Sequence, residues 1–324
     1  MVSYDLEAEK VVDFIKRTRA RKVGVQLPPG LRTHWPEILS LLEKHGAEGV
    51  LVGSSCHGAC DLADREALLA GCEALIHYGH SDMGLPSEIP VLYVEARMEI
   101  NPCHAVEEIL PTIGLRKIGL TTSVQHLSYL EELRLLLSSH DLEVYVGKPF
   151  GRARYPGQIL GCDVGSASSV ADRVEGFLHV GMGTFHPLGI AASTGKKVIA
   201  VNPLGGKVEI SGEDFLRWRK GIIAKAASCR EFGILLSTKK GQWRPELAKK
   251  IEEMLEKEGR RGRELVQDEI KVEELEDFGF EAYVCTACPR IALDDSKHVR
   301  VPILTPFEVE VMLEGREFQP YSIW

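Results

Sequence analysis

The chain has no apolar run approaching the ~20 residues that a membrane-spanning helix needs. Its first residues, MVSYDLEAEKVV, lack the basic start and apolar core of a secretory signal. There is no excess of positive charge. The net charge is -8 and the pI about 5.8, the wrong sign for a face that tracks phosphates. There is no low-complexity tract. These gaps argue against a membrane span, secretion and nucleic-acid binding, and predict a soluble cytoplasmic protein. Structural disulfides are disfavoured in that compartment. The eight cysteines therefore read as metal ligands, catalytic thiols or small buried hydrophobes.

What is present is ordinary in bulk, with 44% apolar and 27% charged residues over 324 positions. Its order is not ordinary. Arg21-Lys22-Val23-Gly24-Val25 returns as Arg116-Lys117-Ile118-Gly119-Leu120 and as Arg230-Glu231-Phe232-Gly233-Ile234. Each run reads as a buried strand. An amphipathic helix pattern follows each: Ile38, Leu39, Leu41, Leu42; then Leu127, Leu130, Leu133, Leu136, Leu137; then Leu247, Ile251, Met254, Leu255. Second strands are predicted at 49–52, 143–146 and 264–266. Third strands are predicted at 74–79, 176–181 and 281–284, and last ones at 91–94, 198–201 and 301–304. Apolar strands alternating with helices imply parallel βαβ units. The chain is thus expected to be α/β, with three similar small parallel-sheet domains at 1–101, 102–206 and 207–324. The boundaries are placed at the turn-forming Asn101-Pro102 and Pro203-Leu204-Gly205-Gly206.

In parallel sheets, ligands sit beyond the carboxyl ends of the strands. That filter selects one cysteine per repeat. Cys60 lies in GSSCHGACDLAD (53–64), Cys162 in RYPGQILGCD (154–163) and Cys288 in CTACPRIALDD (285–295). Each follows a tiny residue, Ala59, Gly161 or Ala287, which leaves room for an inorganic ligand. Three thiolates suit a [4Fe–4S] cluster with one open iron. Cys72 and Cys229 read as packing thiols, and Cys103 is assigned nothing. An alternative uses Cys56, Cys60, Cys285 and Cys288, spaced C-x3-C and C-x2-C, to hold a structural zinc ion. That leaves Cys162 without a purpose.

Five motifs in this order, QLPPGL (26–31), GACDLAD (58–64), YGHS (78–81), GQILGC (157–162) and CPRIALDD (288–295), resemble the archaeal diphthamide-biosynthesis enzymes. These are 2-(3-amino-3-carboxypropyl)histidine synthases of a radical-SAM-like type. The resemblance covers nearly the whole chain. It implies three related α/β domains in a pseudo-threefold arrangement around a central [4Fe–4S] cluster held by Cys60, Cys162 and Cys288. It also implies a homodimer. The C-x3-C-x2-C motif of ordinary radical-SAM enzymes is absent, because Ala63 stands where its third cysteine would follow Cys56 and Cys60. The implied activity is reductive cleavage of S-adenosylmethionine between sulfur and the methionine γ-carbon, using an external electron donor. The aminocarboxypropyl fragment then passes to a histidine of translation elongation factor 2.

Candidate contacts to S-adenosylmethionine are Gln26, Pro29, His80, Ser81, Gln158, Gly183 and Arg290. Gln26 and Pro29 follow the first strand; the bland reading of Pro28, Pro29 and Gly30 is a turn. His80 and Ser81 end a third strand, where the histidine would meet the methionine carboxylate or the ribose. Gly183 belongs to the glycine-rich HVGMGTFHPLG (179–189), which also carries His186 and is no G-x-G-x-x-G fingerprint. Arg290 suits a carboxylate, or instead pairs with Asp294 or Asp295. Asp61 and Asp163 either lower a neighbouring cluster's potential or cap their loops. The basic run KEGRRGR (257–263) is a solvated helix end or a docking surface for an acidic partner. Two other functions stay open at this point: a quinolinate-synthase-like [4Fe–4S] dehydratase, and a non-catalytic iron–sulfur partner subunit.

Overall fold

The computed structural model describes residues 3–316 and Phe318. The chain divides into two compact units. The first gathers the residues up to Ile100 together with Val124–Ser128 and Lys239–Gly241; the second holds the rest. Among the described residues no helix is long and apolar enough to cross a membrane.

The first unit is built on a four-stranded parallel sheet in the order Glu48–Val52, Lys22–Gln26, Ala74–Tyr78, Val91–Val94. The two central strands are almost wholly buried, as β-branched and apolar runs covered on both faces must be. Helix Ala8–Thr18 covers the sheet with Val11, Phe14 and Ile15. Helix Trp35–Lys44 starts with Pro36 in its first turn and buries Ile38 and Leu42, with Leu39 and Leu41 packed beside them. A short antiparallel pair, Tyr4–Asp5 with Arg97–Met98, closes one side.

The second unit contains two sheets. One is five-stranded, ordered Lys207–Ile210, Lys197–Val201, Gly176–Val180, Lys117–Thr122, Glu143–Tyr145, with only its first strand antiparallel. The other is parallel and four-stranded: Arg261–Gln267, Glu231–Ser237, Ala282–Cys285, Ile303–Leu304. Helix Leu130–Ser138 buries Leu133 and Leu137, and helix Pro245–Lys257 buries Ala248, Ile251 and Leu255. Helices Gly212–Ala226 and Pro306–Glu314 are joined by a buried ion pair. Arg219 Nη2 lies 2.6 Å and Nε 2.7 Å from the Glu308 carboxylate, and neither side chain is exposed.

The repeat has a physical basis. Gly24, Gly119 and Gly233 stand directly opposite Leu75, Phe177 and Tyr283 on the neighbouring strand. A methyl group at Gly119 or Gly233 would come within 2.4 Å of the facing ring, and one at Gly24 within 3.1 Å of Leu75. The glycine makes room for the large residue across from it. A second device recurs one step before each third strand. The carboxylates of Glu73, Glu175 and Glu281 accept the backbone N–H groups of Arg21 and Lys22, of Arg116 and Lys117, and of Arg230 and Glu231.

The expected boundary at 206/207 is corrected. Asn202–Gly206 is a hairpin turn, with Gly205 N donating to Asn202 O and both glycines at positive φ. It returns the chain to the second sheet as Lys207–Ile210, so those residues do not begin a third domain. The last strand shortens from the expected 301–304 to Ile303–Leu304, since Pro302 has no N–H to give. Of the basic run, only Lys257 ends a helix; Arg260 reaches a backbone carbonyl, and Arg261 and Arg263 lie on strand Arg261–Gln267 and pair with Glu231 and Glu252.

Candidate functional site

The Cys60 loop begins where Glu48–Val52 ends, and one side chain holds it from behind. Gln26, at the end of the central strand, is fully buried. Its Nε2 donates to Ser55 O at 2.9 Å and to Asp61 O at 2.7 Å. Its Oε1 accepts from Ala63 N at 3.1 Å and from His77 Nδ1 at 2.7 Å. An amide offers two donors and two acceptor lone pairs, so Gln26 is saturated within the first unit. Its role is to support the loop.

The segment Lys239–Gly241, which follows strand Glu231–Ser237 in the chain, fastens the same loop. Lys239 Nζ lies 3.0 Å from Asp61 Oδ2 and 2.7 Å from Ser55 Oγ, with both charged side chains only 7% exposed. Lys240 meets the buried Asp64 at 2.6 Å. Gly241 N donates to Cys60 O at 3.0 Å, and a methyl group at Gly241 would sit 2.4 Å from Cys60 Cβ. Asp61 therefore does not stand as a bare charge beside Cys60; Lys239 neutralises it. Cys60 is partly exposed. Cys56 is buried, and burial, followed by the Asp61 carboxylate, pushes its thiol up to about 12.

The QLPPGL and YGHS motifs interlock. Gly79 has φ 85° and lies against Pro28, where a Cβ would come within 2.8 Å of the proline ring. Pro29 opens a 3-10 turn, Pro29–His34. Gln125 Nε2 donates to Gly79 O at 2.7 Å. Ser81 is buried, and His80 Nδ1 lies 2.9 Å from His77 Nε2. Burial, with His80 as a second cause, holds His77 well below the usual histidine range.

In the second unit, the loop before Cys162 is an extension of the sheet. Gln158 bridges to Thr122, and its Oε1 accepts from Arg154 N and Tyr155 N at 2.8 and 3.1 Å. Asp163 caps the loop through Ala153 N at 2.7 Å and Gly165 N at 2.9 Å. Capping is thus its role. Gly161 has φ 72°, and its carbonyl would lie 2.5 Å from a methyl group at Gly189, so the loop rests directly on helix Phe185–Thr194. Cys162 and Cys288 are both partly exposed.

Cys288 follows strand Ala282–Cys285 and precedes the short helix Pro289–Leu293. Arg244 Nη1 donates to Thr286 O and Ala287 O at 3.0 and 3.1 Å. Its guanidinium is lowered from the ordinary arginine value chiefly by burial and then by Arg152, against the opposing pull of the Cys162, Cys285 and Cys288 sulfurs. The Cys162, Cys285 and Cys288 sulfurs of this unit thus all lie within the electrostatic reach of one cation. Cys285 is buried, donates to Cys288 O at 3.3 Å, and is pushed up by burial to about 12. A zinc site using Cys56 and Cys285 would have to take protons from two thiols whose burial opposes it.

Arg290 pairs with Asp295 at 3.2 Å. Gly183 has φ 80° with open space beside it, and burial lowers the nearby His186 to about 4. Sequence reasoning missed His77, Gln125, Lys239, Gly241 and Arg244. The strand-end filter had a signal for three of these, since STKKGQWR (237–244) follows the first strand of the third repeat as QLPPGL follows that of the first.

A family model described as putative diphthamide synthesis protein matches residues 27–323. The 2-(3-amino-3-carboxypropyl)histidine synthase of Pyrococcus horikoshii is 43% identical over 317 residues, covering 97% of this chain and 92% of the relative. The 2-(3-amino-3-carboxypropyl)histidine synthase subunit 1 of Caenorhabditis elegans is 29% identical over 97% of this chain and 81% of its own length. The crystal structure of Dph2 from Pyrococcus horikoshii with a 4Fe-4S cluster superposes with a TM-score of 0.89 at 42% identity, covering 99% of this chain and 94% of that one. With its parallel-sheet units and strand-end thiols, the chain belongs to the diphthamide-synthesis family, whose named members here transfer an aminocarboxypropyl group to histidine.

Proposed function

We propose that this chain performs the first step of diphthamide biosynthesis, transferring the 3-amino-3-carboxypropyl group of S-adenosylmethionine to an imidazole carbon of a histidine on elongation factor 2. In this reading Cys60, Cys162 and Cys288 hold a [4Fe–4S] cluster with one iron left open. The observation that carries the reading is the contrast among the thiols. These three are partly exposed at strand ends, while Cys56 and Cys285 are buried and kept as thiols.

The residues present fit such a group. Thiolates are the soft donors that iron–sulfur clusters take. Gly58 and Gly241 keep side chains away from Cys60, and Gly161, next to Cys162, leaves room for the Phe185 ring. The cation of Arg244 offsets negative charge gathered at Cys162 and Cys288. When bound, the cluster supplies the electron that breaks the bond between the sulfonium and the methionine γ-carbon, releasing methylthioadenosine.

The protein's own residues would orient that one bond and exclude water. Pro29, His80, Ser81, Gly183 and Arg290 are the proposed contacts to S-adenosylmethionine. Gln26 and Gln158, whose amide oxygens are engaged by the backbone of the cysteine loops, support from behind. An external electron donor and a homodimer complete the proposal.

The test is anaerobic replacement of single cysteines by Ala, scored for iron and for methylthioadenosine release after reduction. Iron should be lost at Cys60, Cys162 and Cys288 and retained at Cys56 and Cys285. Loss at Cys56 with retention at Cys60 would overturn the ligand set. Dehydratase activity without cleavage of S-adenosylmethionine would favour the quinolinate-synthase-like reading. Modification of the elongation factor only after a second subunit is added would favour the partner-subunit reading.

A further inference from the structure

The loop that leads into Cys162 holds an aromatic ring out in water. It leaves strand Glu143–Tyr145 and closes on itself, with Gly157 N donating to Gly147 O at 2.9 Å. Phe150 on this loop is 76% exposed, more than any other phenylalanine or tryptophan among the described residues. A slack loop would turn such a ring back onto apolar surface. This loop is pinned. Pro149 fixes the backbone just before the ring. Asp163 accepts from Ala153 N at 2.7 Å, and a methyl group at Gly151 would come within 2.6 Å of the same carboxylate. A methyl group at Gly147 would overlap Ser166 O. The loop therefore lies flat against the chain that follows Cys162, and Lys148 and Phe150 at its tip are left exposed.

The surroundings of the tip suit a protein. Strands Lys197–Val201, Gly176–Val180, Lys117–Thr122 and Glu143–Tyr145 are parallel neighbours, so the loops after them leave one edge of the sheet. Two more apolar side chains are exposed on that edge, Met182 at 47% and Leu204 at 54%. At about 4.8 Å per strand, the loops of Leu204, Met182 and Phe150 span about 14 Å. Spaced apolar anchors on a broad edge match a protein contact, whereas a small ligand takes a concave pocket. The charge is local as well. The chain has 47 carboxylate side chains, yet none falls at 144–162, where Lys148, Arg152 and Arg154 stand. Arg152 and Arg154 have contacts of their own within the fold, so the exposed charge at the tip is that of Lys148.

We infer that this tip is a docking anchor for the protein that carries the acceptor histidine, with Phe150 entering an apolar pocket of that protein and Lys148 meeting a carboxylate beside it. The inference rests on the proposed transfer to a protein histidine and adds the surface by which that protein is held. A ring held in place before contact loses little freedom on docking, which is what a specific anchor needs. A second copy of this chain is the poorer occupant, because a twofold contact through the tip sets Lys148 beside its own copy. An electron-donor protein is also poorer, because such encounters are small and weak and do not call for an aromatic anchor.

The test uses the cluster-loaded protein, reduced with dithionite and assayed with elongation factor 2. Phe150→Ala should raise the KM for the factor about tenfold or more, with kcat at saturating factor unchanged, and Phe150→Tyr should restore most of the loss. Lys148→Glu should raise the KM at low salt and less so at high salt. Iron content, the urea midpoint and methylthioadenosine release without the factor should match the parent in all three variants. An unchanged KM in Phe150→Ala would overturn the inference. So would either alternative occupant: loss of self-association in sedimentation, or slower reduction by a protein donor, with the KM for the factor unmoved. A parent protein that neither releases methylthioadenosine nor modifies the factor sinks the functional reading and the docking inference with it. A parent that modifies the factor, with variants of equal KM, sinks the docking inference alone.

Discussion

Replacing Lys239 by Met removes one charge from a pair buried beside Cys60. Lys239 Nζ stands 3.0 Å from Asp61 Oδ2, with 7% of each side chain exposed, and also donates to Ser55 Oγ at 2.7 Å. Two unit charges at 3–4 Å attract by about 4–6 kcal/mol at an effective dielectric constant of ~20. Breaking a buried pair from one side costs about 3–5 kcal/mol, because the other charge stays in the interior. Asp61 would keep His57 N at 3.3 Å among its partners, a long bond that compensates little. We expect Lys239→Met to destabilise the first unit by about 3–4 kcal/mol, read as a fall in the urea midpoint at unchanged slope. Iron loading should fall with it, since the loop that carries Cys60 loses its fastening. The double variant Asp61→Asn/Lys239→Met removes both charges and should recover to within about 1–2 kcal/mol of the parent. A single variant within ~1 kcal/mol of the parent, or a double variant as unstable as the single one, would refute the argument.

Arg219→Met should cost about 3–5 kcal/mol in thermal or urea unfolding, because it strands the buried Glu308 and the carbonyls of Ala292 and Ile303. Gly119→Ala and Gly233→Ala should each cost about 1–3 kcal/mol, and Gly24→Ala less, because the first two methyl groups meet aromatic rings at 2.4 Å; equal costs at all three would show that the facing residue is not what the glycine serves. His126 is buried, and its pKa is lowered by burial to about 4, so the unfolded chain takes up its proton first as pH falls. Stability should therefore decline as pH drops from about 6.5 towards 4, and His126→Gln should flatten that decline in a series of denaturation curves.

Much of the architecture was legible in the chain because sheets of this kind repeat a local pattern. The three Lys/Glu-x-Gly strands, their helices and their third strands all formed near the expected positions. The glycine in each announces a large residue across the sheet, and a glutamate before each third strand announces a cap that pattern reading overlooked. The strand-end rule brought out Cys60, Cys162 and Cys288, one per repeat, but Cys56 shares the loop of Cys60 and Cys285 ends a strand, so it is burial in the structure that sets those two apart.

Residue type and spacing could not say which groups meet across long stretches of chain. Asp61 reads as a charge beside Cys60, yet Lys239 cancels it from 178 residues away. Gln26 reads as a polar group wanting a ligand, yet all four of its hydrogen-bonding positions are taken by Ser55, Asp61, Ala63 and His77. Asn202–Gly206 reads as a linker, and pairing makes it a hairpin. Periodicity and strand-end position are local properties, so the sequence by itself determined the repeats and the candidate thiols. Hydrogen-bond saturation and charge pairing depend on which distant atoms lie within about 3 Å, so only the tertiary structure decided what holds the Cys60 loop.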